Sequence, residues 1–153
     1  MSACLTGSVG AGLHTYFMTH ELLCTVLDAQ RANASLSGRD LRSAAEELLR
    51  LHTPGHTVLM AVDAAGERII GAAMTLTDQP VKVFDYTHSF PARSTCLLVG
   101  GFIAGPVGVA DAAAAVIDAG ATRVQAAVLG GWSDPIGGVA RVRDLGRQRA
   151  RVA

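Results

Sequence analysis

Asp63 and Asp85 follow or close two apolar, β-rich runs, Val58-Leu59-Met60-Ala61-Val62 and Val81-Lys82-Val83-Phe84. Both carboxylates therefore fall at one edge of any parallel sheet built from those runs. A carboxylate pair there can pass a proton or hold a magnesium ion. Thr87-His88-Ser89 adds polar groups to the same edge, and Arg93 follows shortly after. Asp63, Asp85, His88 and Arg93 are thus the candidate catalytic set. The competing reading gives Asp63 a turn-capping role and leaves Asp85 merely exposed.

The glycine-rich stretch Gly100-Gly101-Phe102-Ile103-Ala104-Gly105-Pro106-Val107-Gly108 offers a different chemistry. It follows the apolar run Cys96-Leu97-Leu98-Val99 and precedes an alanine-rich helix. A turn from strand into helix N-terminus presents free backbone N–H groups and the positive end of the helix dipole, which suit a phosphate. Glycine lets the main chain approach such an anion closely. The dinucleotide spacing Gly-x-Gly-x-x-Gly fails, because the third position counted from Gly100 is Phe102. No Gly-Lys-Ser/Thr follows to make a nucleotide-binding P-loop. A tight crossover that binds nothing is the competing reading.

Other candidates are thinner. Trp132, the single tryptophan, stands after the last apolar run, where its indole could stack on a planar ligand or simply pack on the sheet. His52 and His56 have a zinc-compatible spacing, but Pro54-Gly55 breaks the helix that would align them and no third ligand is near. His14 and His20 lie on the first helix without carboxylate partners in sequence. Arg141, Arg143, Arg147, Arg149 and Arg151 crowd the C-terminus with Asp144 as the one acid. Without interleaved aromatics this reads as a solvated tail more readily than as a nucleic-acid contact.

The elements that must position these groups follow from hydrophobic period. Helical spacing predicts a helix over 13–34 and a second over 41–51, the latter opened by Ser37 with Asp40 three residues on and closed by Pro54-Gly55. Apolar or alternating runs predict strands at 57–62, 81–86, 96–99 and 124–129. Helices are expected over 68–76, over 109–119 with Gly120 as its cap, and over 136–145. Strands alternating with helices give an α/β class: a mostly parallel sheet flanked by helices, Rossmann-like in three layers. The expected organisation is a tail and helix at 1–36, an α/β domain at 37–146 and a basic tail at 147–153.

Composition sets the bounds. The chain has 153 residues, half of them hydrophobic, with 13 basic and 13 acidic side chains, so it can bury a core and has no net charge to capture nucleic acid or an anionic membrane. Three cysteines without a close pair point to a reducing cytoplasm. No long apolar run suits a membrane span and no basic segment precedes a signal-like stretch.

From about residue 43 the order of motifs resembles a type I phosphoribosyltransferase, a family of mostly parallel α/β domains acting on phosphoribosyl pyrophosphate. The stretch 58–66 followed by 69–76 is similar to that family's first strand, pyrophosphate loop and helix. Cys96-Leu97-Leu98-Val99, the helix near 112–116, Asp118-Ala119-Gly120-Ala121 and the strand 124–129 match the central strand, helix, Ala-Gly-Ala and next strand. Gly137-Gly138 and Leu145-Gly146 look like its closing segment. The resemblance covers roughly two-thirds of the chain and implies a phosphoribosyltransferase-like fold, with Gly66, Gly105, Val107, Gly108 and Trp132 around a phosphate or ligand pocket. Dimers are common in that family, so a homodimer or other oligomer is expected.

The resemblance stops at the chemistry. The family's acidic pair falls on Gly100 and Gly101, and its Thr-Gly-x-Thr loop falls on Gly105-Pro106-Val107-Gly108, where no hydroxyl remains and Pro106 lacks an N–H. Hydrogen bonds to a charged group are worth about 1.5–3 kcal/mol each, so several losses weaken phosphate binding by orders of magnitude. The short connection between Tyr86 and Cys96 leaves no room for a closing lid. The expectation is a protein that has lost ordinary phosphoribosyl transfer and binds a nucleotide- or phosphosugar-like ligand in an accessory or regulatory role, with no cofactor unless magnesium. Repurposed chemistry on the scaffold, a divergent active transferase of nucleotide metabolism, and an oligomerisation protein are the alternatives.

Overall fold

The strands form where the sequence is apolar on both faces, as buried parallel strands require. In the computed structural model, which describes residues 20–86, 89–130, 132 and 134–146, these are β1 (Thr57–Ala61), β2 (Lys82–Val83), β3 (Thr95–Val99), β4 (Arg123–Val128) and β5 (Arg141–Asp144). They make one five-stranded sheet in the order β2-β1-β3-β4-β5, parallel throughout. The chain is α/β, doubly wound and Rossmann-like.

Alternation along each strand divides the core. Leu59, Leu97, Val99 and Ala127 face helices α2 (Gly38–Leu51) and α3 (Ala64–Thr75), where Ala44, Ala45, Leu48 and Ile69 meet them. Val58, Met60, Cys96, Leu98, Val124 and Ala126 face α4 (Val107–Asp118) through Val109, Ala113 and Val116. Leu59 and Leu98 have no solvent exposure; burying each stabilises the fold by about 1.5–3 kcal/mol. Alanine at the helix contacts lets backbones approach the sheet closely.

Caps explain the helix boundaries. Ser37 accepts a hydrogen bond from the Asp40 N–H (3.1 Å) and the Asp40 carboxylate accepts one from the Ser37 N–H (3.0 Å), the reciprocal pair anticipated from the sequence. Gly120 closes α4 at φ +108°, a left-handed position suited to glycine. α3 begins four residues before the expected start at 68, because Asp63 caps it. α1 (His20–Ala34) occupies the expected first helix from residue 20 on.

The last expected helix is wrong. Residues 141–144 form strand β5, paired with β4 from Gln125↔Arg141 to Val128↔Asp144. Gly138, at φ +78°, breaks any helix running through 136–145. The closing apolar residues then serve the sheet: Val142 turns to the α4 face and Leu145 to the α2 face. β2 is also shorter than the expected run over 81–86, at two residues. Phe84 is buried beyond it against Tyr86 (ring centroids 5.1 Å) and Phe90 (5.5 Å).

Candidate functional site

In a doubly wound sheet the strand order reverses at one point, and crevices open there at the carboxyl ends of the strands. Here β2 lies on one side of β1 while β3, β4 and β5 continue on the other, so the crevice falls beyond the ends of β1 and β3. A cleft of about 440 Å³ lies there. α1 forms one wall with Val26, Ala29, Gln30 and Asn33; Phe102, Ile103 and the start of α4 form the other. Val62 and Asp63 line it at the end of β1. The lining is mainly apolar and contains no lysine or arginine.

Asp63 is held in place by backbone donors. Its Oδ1 accepts from the Gly66 N–H at 2.6 Å, and its two oxygens accept from the Gly101 N–H at 3.1 and 3.0 Å. One carboxylate thus caps α3 and ties the end of β1 to the loop after β3. Asn33, near the end of α1, makes a second clamp: its Oδ1 accepts from the Phe102 N–H at 2.7 Å and its Nδ2 donates to the Phe102 carbonyl at 3.0 Å. The Arg68 guanidinium reinforces the junction by donating to the carbonyls of Asn33 and Leu36, each at 3.2 Å. Sequence reading missed Asn33. The available signal was an amide at the end of an amphipathic helix, which meant nothing until the helix was docked.

The glycines of the loop separate into two kinds. A Cβ on Gly101 would collide with Asn33 Oδ1 and come within 2.6 Å of the Ala65 Cβ; one on Gly100 would lie 2.8 Å from Val62. A Cβ on Gly66 would meet the Val99 carbonyl. These three are glycine because the chain itself fills the space. Positions 100 and 101 therefore have no room for a side chain. Gly105 and Gly108, by contrast, have nothing within 4 Å of a Cβ, and neither is among the glycines with positive φ. Both line the cleft.

α4 begins in that cleft. Its cap is Pro106, which forms no side-chain cap hydrogen bond. Its side chain has no acceptor to offer the N–H groups of the first turn, carried by Val107, Gly108 and Val109, which line the cleft. Helix dipole and N–H groups together make this end attractive to an anion.

The other sequence candidates are scattered. Asp85 lies beyond β2 at the same edge as Asp63, but neither it nor Arg93 lines the cleft. Arg93 precedes β3 and so stands at the opposite edge of the sheet. Thr87 and His88 lie outside the described residues, as do Cys4, His14, Arg147, Arg149 and Arg151 and the side chains of His20 and Cys24. Asp63 and Arg93, a strand length apart, cannot share one catalytic centre.

Trp132 packs against the α4-side core and does not line the cleft, and its indole N–H is buried without a partner among the described residues. Phe102 is the aromatic that reaches the cleft. It also lines a smaller cavity of about 170 Å³ bounded by Leu36, Leu129, Gly130 and Asp144. The His52 imidazole is half-buried, its Nε2 has no partner among the described residues, and burial lowers its pKa below the usual 6.5. Among the described residues no three histidine, cysteine or acidic side chains gather as a metal site. Cys96 is in the core, where burial pushes its thiol up to about 12 and keeps it protonated. No described helix is long and apolar enough to cross a membrane.

No family model matches the chain, and no curated protein or solved structure matches it.

Proposed function

We propose that this chain binds a small nucleotide- or phosphosugar-like ligand in the cleft beyond β1 and β3, in an accessory or regulatory role, on a phosphoribosyltransferase-like layout that no longer carries out phosphoribosyl transfer. One observation carries the reading: Gly105 and Gly108 line an open cleft where their own chain gives no steric reason to be glycine. A main chain left bare toward empty space is suited to the close approach of another molecule.

The lining sets the ligand's chemistry. An anionic group belongs at the first turn of α4, where N–H groups and the dipole converge. A flat or compact apolar body fits against Val26, Ala29, Phe102 and Ile103. The Asp63 carboxylate at the same cleft repels a second charged group, which disfavours a pyrophosphate. Residues 100–101 bring no carboxylate and 105–108 no hydroxyl to orient a ribose or stabilise a departing pyrophosphate, which supports a binding role over transfer.

Calorimetric titration with nucleoside monophosphates, phosphosugars and phosphoribosyl pyrophosphate tests this. The expected outcome is saturable binding of a monophosphate, weaker binding of phosphoribosyl pyrophosphate, and loss of both in Gly108→Val at unchanged circular dichroism. Silence toward all of them from folded protein would sink the proposal.

A further inference from the structure

The opposite edge of the sheet carries a second, chemically different groove. On the face covered by α2 and α3 the strands begin with polar residues in register: Thr57 pairs with Thr95, and Thr95 with Arg123. Gln125 and Arg143 point to the same face two and four residue pairs further along. With the end of α2 they enclose a groove of about 300 Å³ whose lining includes three arginines, three threonines and a glutamine but no carboxylate.

Two details set this groove apart from a solvated charged face. The Nε of Arg143 is buried and has no hydrogen-bond partner among the described residues. A buried guanidinium N–H without an acceptor is costly and points to a missing water or ion. Thr57 is buried and its hydroxyl accepts from the Thr53 N–H at 2.9 Å, which leaves its own proton to donate. Arg50 stands at the rim, bound to Glu47 at 2.9 Å. Arg143 and Thr57 thus each bring a donor with no acceptor among the described residues to the lining of one groove.

We propose that this groove is an oxyanion site, taking the phosphate or carboxylate group of a small solute between Arg143 and Arg123 with Thr57 and Thr95 as hydroxyl donors. Guanidinium forks match the paired oxygens of either group, and charge-assisted bonds of this kind are the strong ones. The proposal is independent of the cleft at the other edge.

Pyrophosphate and citrate, titrated into the full chain at constant ionic strength and followed by calorimetry and thermal shift, provide the test. Saturable binding of at least one is expected, pyrophosphate alone marking a phosphate site and citrate alone a carboxylate site. Arg143→Leu should weaken it roughly tenfold or more, while Gly108→Val, which blocks the other cleft, leaves it intact. Should Arg143→Leu fail to fold, Arg123→Gln on its exposed side chain gives the same reading. Absence of saturable binding, full affinity in the arginine variants, or loss in Gly108→Val each overturns the proposal.

Discussion

The two edges of this sheet approach ligand binding with opposite materials. At the carboxyl edge the chain offers backbone: bare glycines, an uncapped helix start and a mainly apolar wall, with the one carboxylate lining the cleft, Asp63, already bound to N–H groups. At the amino edge it offers side chains, with arginines and threonines around a groove free of acids. The first edge is shaped by how closely the loops pack. The second is shaped by charge, and its geometry depends on flexible side chains. Ligand selectivity at the first should follow shape, and at the second should follow charge and salt.

Asp63→Ala breaks the carboxyl edge most severely. It removes the cap of α3 and leaves the Gly101 N–H without its acceptor, a loss of about 2–4 kcal/mol from the two effects together. Urea denaturation measures it, and a loss under 1 kcal/mol would mean the clamp is dispensable. Gly101→Ala tests the close-packed kind of glycine, since the new methyl must displace Asn33 or Ala65; overpacking of this sort costs about 1–3 kcal/mol. Gly108→Ala tests the other kind. With open space around it and a helical position, it should gain up to about 1 kcal/mol of stability from helix propensity while weakening ligand binding in the cleft. A loss of stability there would erase the distinction between the two classes of glycine.

The smallest effect concerns the amino edge. His52 follows α2 beside the groove, and burial lowers its folded pKa below 6.5. The unfolded chain then binds the extra proton more readily, so this contribution is intact above about pH 6.5 and is lost as pH falls below it. Melting temperature measured from pH 7.5 to 5.5 should fall less in His52→Leu than in the natural chain. Equal slopes would remove His52 as a source of acid sensitivity.

Much of the scaffold was legible because buried parallel strands write themselves as continuous apolar runs: β1, β3 and β4 were found to within a residue or two. β5 was not. Arg141-Val142-Arg143-Asp144 mixes charge with a single apolar residue, and only pairing with β4 makes it a strand. The glycine loop was visible as a unit, but one string of glycines concealed two roles. Asn33 offered only an amide at the end of a helix, because its partner Phe102 is 69 residues away.

The sequence by itself determined the alternation of strand and helix, the caps at Ser37 and Gly120, and the absence of acidic and hydroxyl groups from the loop at 100–108. Those are local properties, set by side-chain type and the conformations each residue allows. Tertiary structure alone decided that Asp63 is a clamp, that Gly101 is filled while Gly108 stands open, and that the Arg143 Nε is buried without an acceptor among the described residues. Each of these depends on which distant atoms occupy the neighbouring space, a question of packing that local composition does not answer.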